Sequence, residues 1–223
     1  MKIAVLTPTI NRPAGLRRSL KSLKATAPTC TPVVAAEKGD AQARNIAAEF
    51  GAIFTVVSEP LAGGAKAWND ALRAAPDFDA YFTGSDDIEY TPGWLEEVLR
   101  LLDVDLKGSG LVGINDNRWG RDKVEKMCAT HYLMTRDFVI EHMGGVAAQP
   151  FYFCDWTDME ATARARRAGK FTWAEKAVVK HLWDGPKGDP AYIRAAKMRP
   201  AVRLIWNDRK ERGFPDDFEP IIK

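Results

Sequence analysis

The chain has 223 residues, of which 46% are hydrophobic and 28% charged, and its formal net charge is +2. This is the balance of an ordinary folded protein with enough chain for a sizeable core, and the charge is too small to demand a polyanionic partner. Cys30, Cys128 and Cys154 are odd in number, widely spaced and without a zinc pattern, so they read as reduced thiols. No apolar run is long enough to span a bilayer, and a strand starting at Lys2 leaves no room for a signal peptide, so a cytoplasmic protein is expected.

Ile3-Ala4-Val5-Leu6 is a continuous apolar run, the pattern of a strand buried on both faces. Leu16, Leu20 and Leu23 then recur at helical spacing. Val33 to Ala36 forms a second strand ending in Glu37, and Ala41 to Phe50 a helix closed by Gly51. Ile53 to Val57 is a third strand, and Ala65 to Ala75 a helix stopped by Pro76. Ala80 to Thr83 is a fourth strand, after which Thr91 and Pro92 are read as N-cap and first residue of a helix with Trp94, Leu95, Val98, Leu99 and Leu102 buried. Beyond it the pattern loosens. Strands are expected at Leu111 to Ile114 and Tyr132 to Met134, and a short helix capped by Asp137 ends near Gly144-Gly145. A helix runs from about Asp158 to Ala168, followed by separate short strands at Phe171 to Trp173 and Ala177 to His181. Asp189-Pro190 opens a last helix that Pro200 should kink or divide. The strand–helix alternation predicts a doubly wound, mostly parallel α/β sheet, with an irregular second half and a C-terminal helical segment.

The most informative stretch is Gly84-Ser85-Asp86-Asp87-Ile88-Glu89-Tyr90-Thr91-Pro92, directly after the fourth strand. Open α/β sheets bind ligands at the carboxyl ends of their strands. Two adjacent acids there repel each other unless they share a cation, and oxygen ligands suit Mg²⁺ or Mn²⁺ with a diphosphate completing the shell. A loop whose acids cap the next helix is the competing explanation. Thr7-Pro8-Thr9-Ile10-Asn11-Arg12 after the first strand, and Glu37 after the second, reach the same edge, where they either offer hydroxyls, a guanidinium and a carboxylate to a nucleotide or are a Thr-capped strand-to-helix turn and a solvated loop acid. Lys66 and Asn69 lie in the helix opened by Gly63-Gly64: Lys66 is a candidate nucleotide contact although Gly63-Gly64-Ala65-Lys66 lacks the spacing and hydroxyl of a phosphate loop, and Asn69 either faces the nucleotide or serves a neighbouring loop. Thr157 and Glu160 have the spacing of a capping box, with Asp158 in the first turn. His181 ends an apolar strand, as a metal ligand or as an edge residue.

Taken in order, these pieces resemble the family-2 nucleotide-sugar glycosyltransferases of the GT-A fold, over roughly Lys2 to Trp183. The resemblance implies one domain over residues 1–223, with a nucleotide-binding half at 1–90, an acceptor and catalytic half at 91–183 and a helical extension at 184–223. It puts the metal-binding acids at Asp86 and Asp87, beside which His181 is read as a further metal ligand or a diphosphate contact. A nucleotide-contacting acid falls at Glu37, the nucleotide loop at Thr7 to Arg12, and the general base at Asp158 before Arg164-Ala165-Arg166-Arg167-Ala168-Gly169. Gly84 stands where the family's acidic motif often begins with Asp, Trp68-Asn69 where its third helix carries Arg-Asn, and Thr157 where an acid precedes the base. The expected activity is metal-dependent hexosyl transfer from a nucleoside-diphosphate sugar, a UDP-sugar, to an acceptor hydroxyl with inversion. A ligating His181 would also resemble retaining relatives. The acceptor is left open among saccharide, protein, lipid carrier and modified DNA, the last because basic residues outnumber acidic ones between Pro186 and Arg212 beside Tyr192 and Trp206. A non-catalytic nucleotide or carbohydrate-binding module is the other alternative. Thr7-Pro8-Thr9 argues against a sugar nucleotidyltransferase, which expects a glycine-rich loop.

Overall fold

The structure, a computed structural model, describes residues 1–117, 128–182 and 189–223. Trp183, where the family resemblance ends, and Pro186, where the basic segment begins, lie outside the described residues. The first half alternates as its sequence demands. β1 (Ile3–Thr9), α1 (Pro13–Thr26), β2 (Thr31–Ala36), α2 (Ala41–Glu49), β3 (Ile53–Val56), α3 (Gly64–Ala74) and β4 (Ala80–Thr83) follow one another. The second half comprises β5 (Ile88–Tyr90), α4 (Trp94–Val104), β6 (Leu111–Asn115), β7 (Tyr132–Thr135), α5 (Arg136–His142), α6 (Thr157–Arg167), β8 (Phe171–His181) and α7 (Pro190–Glu211).

The strands form one sheet in the order β3-β2-β1-β4-β7-β6-β8-β5. Within it β7 and β5 run against their neighbours, and the other strands share one direction. Helices cover both faces, which is why β1 is apolar at every position from Ile3 to Leu6. Ala4 and Leu6 pack with Ala67, Ala71 and Leu72 of α3 and Phe138 of α5. Ile3 and Val5 face the other way, onto Leu23 of α1 and Val98 and Leu102 of α4. Each such aliphatic or aromatic side chain removed from water stabilises the fold by about 1.5–3 kcal/mol. Among the described residues no helix is long and apolar enough to cross a membrane.

Two local expectations fail because long-range contacts outrank local signals, and of the two outcomes expected at Pro200, division of the last helix does not occur. Thr91 does not cap α4. Its hydroxyl donates to the Val178 carbonyl at 2.6 Å, and the helix begins after Gly93, whose φ of 83° needs no Cβ. The two short strands expected from Phe171 to His181 are one strand, with a bulge where the β6 register jumps from Ala174 to Val178. Pro200 sits inside a continuous α7, held on either side of the proline by Ala195, Val202 and Trp206, which pack against Ala65, Ala148, Tyr152 and Phe153.

Trp94 is fully buried, with its ring 4.9 Å from that of Phe82 and 5.0 Å from that of Tyr90. It therefore clamps the strands on both sides of Asp86-Asp87. Trp94→Ala is expected to lower stability by about 3–5 kcal/mol, measured by urea unfolding.

Candidate active site

Because β1 and β4 pair in parallel with Leu6 opposite Thr83, their carboxyl ends bring Thr9 and Arg12 against the acidic turn. Thr9 Oγ1 donates to Asp86 Oδ2 at 2.7 Å, and Arg12 Nη1 to Asp86 Oδ1 at 3.2 Å. Asp86 is only 2% exposed. Burial raises its carboxyl to about 6, with Arg12 pulling it down and Asp87 pushing it up. Asp87, 4% exposed, behaves oppositely. Burial alone would raise it, but the hydrogen bond and charge of His181, and then the Ser85 hydroxyl, hold it below the usual carboxylate range. The two adjacent acids are thus driven apart by their different partners.

His181 arrives through the antiparallel β5–β8 pairing, which sets it opposite Ile88. Its Nε2 lies 3.4 Å from Asp87 Oδ2, and its Nδ1 3.4 Å from Asp116 Oδ2. Burial would lower this imidazole, yet Asp116 and Asp87 outweigh it and raise it to about 9. A place that draws positive charge onto a half-buried histidine is electrostatically suited to a cation. Sequence reading missed two residues here. Asp116 follows β6 and His131 precedes β7, and with His181 they offer three ligand atoms within 4.8 Å of one another. Asp116 had a signal, an acid at the carboxyl end of a strand. His131 had none, since it reaches this edge only because β7 runs antiparallel.

Two further residues join from the start of α7. Arg12 donates through Nε and Nη2 to Asp189 Oδ2 at 3.0 and 2.7 Å, and its guanidinium lies 4.7 Å from the centre of the Tyr192 ring. The Tyr192 hydroxyl donates to Asp87 Oδ2 at 3.2 Å.

The remaining expected residues are scattered. Thr7 is fully buried and its hydroxyl donates to the Val5 carbonyl at 3.4 Å, so it belongs to the sheet and not to the nucleotide loop. Glu37 accepts from the Leu61 amide at 2.8 Å and so orders the approach to α3. Lys66 pairs with Glu59 at the surface. Asn69 does not face the site. Its amide donates to the Ala148 carbonyl at 2.7 Å and accepts from the Ala147 and Ala148 amides at 3.0 and 3.1 Å. Asp158 is half-buried, with Oδ1 accepting from the Met159 amide at 2.9 Å and Oδ2 3.4 Å from Cys128 Sγ.

The capping box at Thr157 and Glu160 does not form. Glu160 is fully buried and accepts from Tyr152 at 2.5 Å, from Arg164 at 2.9 Å and from Arg209 at 3.0 and 2.8 Å. Trp68 and Gly84 touch each other. Trp68 Nε1 donates to the Gly84 carbonyl at 2.9 Å, and a Cβ at Gly84 would lie 2.9 Å from the Tyr90 hydroxyl and 3.0 Å from Val5.

Residues 4–162 match the sequence profile of glycosyl transferase family 2. The chain belongs to that family. Its fold is that of GT-A glycosyltransferases, as solved structures with low identity show. A mannosyltransferase from Pyrobaculum calidifontis, in complex with GDP-Man and Mn²⁺, superposes with a TM-score of 0.68 at 15% identity, over 93% of this chain and 64% of that one. S. aureus TarS 1-349 in complex with UDP gives 0.62 at 15% identity, over 81% and 60%. Glucosyl-3-phosphoglycerate synthase from Mycobacterium tuberculosis, in complex with Mn²⁺, UDP and glucosyl-3-phosphoglycerate, gives 0.63 at 16%, over 97% and 81%. This family-2 chain therefore spans 60% of TarS 1-349 and 64% of the mannosyltransferase chain. No curated protein matches it in sequence.

Glu160 and Asp158, two residues apart in the family-2 helix α6, should respond differently to loss of charge. Glu160→Gln leaves Arg209 and Arg164 without their buried carboxylate and is expected to cost about 3–5 kcal/mol. Asp158→Asn keeps an acceptor for the Met159 amide and is expected to cost less than about 1 kcal/mol. Thermal unfolding of both variants measures the difference.

Proposed function

We propose that this chain transfers a sugar from a nucleoside-diphosphate donor, a UDP-sugar, to an acceptor hydroxyl, using Mn²⁺ or Mg²⁺. The observation that carries this reading is the meeting of Thr9, Arg12, Asp86, Asp87 and His181 at the carboxyl ends of β1 and β4. The relatives of the same fold crystallised with UDP or with GDP-Man and Mn²⁺ support it. Asp87 and His181 are the residues that would hold the cation. They fit it in their donor atoms and in the positive charge the site draws onto His181. When bound, such a cation neutralises negative charge gathering on the departing diphosphate.

The side chains divide the remaining work. Arg12, steered by Asp86, presents its guanidinium to the donor, and Thr9 keeps Asp86 in place. Glu37 and Lys66 lie toward the β2–α3 side, where the nucleoside would extend. Asp158 takes the proton of the acceptor hydroxyl, and attack on the face opposite the diphosphate inverts the anomeric centre. Residues 1–90 then serve the donor, 91–183 the acceptor, and 184–223 brace both. Saccharide, protein and lipid-carrier hydroxyls all suit such a base. A nucleic-acid acceptor loses ground, because Arg199 is paired with Asp155, Arg209 with Glu160 and Asp217, and Arg212 with Asp208.

Two variants test the reading. Asp87→Asn keeps the shape and removes the charge, so calorimetry with UDP and Mn²⁺ should show binding abolished, and an unchanged affinity would refute the assignment. Asp158→Asn should keep donor affinity while turnover falls about 10²–10⁴-fold. Near-normal turnover would remove Asp158 as base, and absence of both transfer and donor hydrolysis in the wild type would mark a binding module.

A further inference from the structure

His131 is 3% exposed, and its Nε2 has no hydrogen-bond partner among the described residues. Its Nδ1 lies 2.8 Å from the Thr83 carbonyl. A carbonyl only accepts, so Nδ1 carries the hydrogen and Nε2 the lone pair. This backbone contact fixes the ring in the tautomer and orientation that ligating histidines adopt. A buried acceptor without a partner is costly, so such a group calls for an explanation. What surrounds it supplies one. The His181 ring stands edge-on, with centroids 5.1 Å apart, and Asp116 Oδ2 lies 3.4 Å from His181 Nδ1. One donor atom from each of the three residues falls within 4.8 Å of the others. Two bonds of about 2.1 Å to one ion allow donors up to about 4.2 Å apart, so small side-chain rotations close the set.

We propose that Asp116, His131 and His181 form a seat for one divalent cation held by two imidazole nitrogens, which prefers Mn²⁺, Co²⁺ or Zn²⁺ to Mg²⁺. The inference rests on the reading above only in sharing His181, and it requires neither Asp86 nor a nucleotide. The selectivity follows from the donors. Mg²⁺ keeps oxygen ligands and several waters in a strict octahedron, whereas imidazole suits the later, softer ions. The placement is rigid as well. The three residues stand at the end of β6, the start of β7 and the end of β8, adjacent strands of one sheet. A purely structural hydrogen-bonded group of the same residues would leave His131 Nε2 unused.

The test is calorimetric titration of the full, nucleotide-free chain with Mn²⁺, Co²⁺ and Mg²⁺, joined to electron spin-echo spectroscopy of bound Mn²⁺, which counts imidazole nitrogens. The wild type should bind one Mn²⁺ or Co²⁺ more tightly than Mg²⁺ and show two nitrogens. His131→Asn retains a donor for the Thr83 carbonyl and removes Nε2. It should weaken Mn²⁺ by at least about tenfold and leave one nitrogen. Asp116→Asn should weaken it similarly. Unchanged Mn²⁺ affinity in His131→Asn, equal affinity for Mg²⁺, or fewer than two nitrogens in the wild type overturns the proposal. If His131→Asn does not fold, the wild-type echo decides alone. Asp87→Asn keeps the two readings apart. If it abolishes binding of UDP with Mn²⁺ while His131→Asn changes nothing, the seat is wrong and the functional reading stands. If His131→Asn weakens Mn²⁺ while Asp87→Asn still binds UDP normally, the seat stands and the functional reading falls.

Discussion

Two carboxylates adjacent in sequence and both buried are the constraint on which this molecule is organised. Asp86 and Asp87 repel each other, and neither can turn to water. The fold answers by giving them different neighbours. A hydroxyl and a guanidinium from the β1–α1 junction take Asp86, and an imidazole and a hydroxyl take Asp87. That division requires β1 beside β4, and it requires β8 to return along β5 so that a histidine arrives from the far end of the sheet. The remote pairing of the second half thus serves a local electrostatic problem in the first.

The first four strands and their helices were legible because each strand is buried on both faces and so reads as an apolar run. The acidic turn was legible because parallel strands place their carboxyl ends on one edge. What could not be read depended on contacts distant in sequence. His131 joins the site only because β7 is inserted antiparallel between β4 and β6. Asp189 and Tyr192 join because α7 folds back over Arg12. Glu160 was misread for the same reason from the opposite side, since its spacing suggested a cap while Arg209 reaches it from 49 residues away. Asn69 takes the second of its two expected roles, serving a loop 78 residues on.

Two departures from the family pattern prove to be one. Gly84 replaces an expected acid and Trp68 an expected arginine, and the indole nitrogen of the second reaches the carbonyl of the first. The link between helix and turn is here a neutral hydrogen bond from an aromatic ring. The glycine is needed because Val5 and the Tyr90 hydroxyl leave no room for a side chain. The turn is thereby attached to α3 without a further negative charge next to Asp86, in a place already crowded with carboxylates.

Arg12 has a consequence of another kind. Its guanidinium already grips one carboxylate from the acidic turn and another from the head of the last helix. An anion that comes to Arg12 therefore meets an incumbent and must trade places with Asp189. The gain from such an exchange is the difference between two similar attractions, which makes it shallow and easily reversed. Release of Asp189 would also loosen the cap it provides to the Ala191 amide, 2.8 Å away. Occupancy at the sheet edge and order at the start of a 22-residue helix are thereby written into the same ion pair.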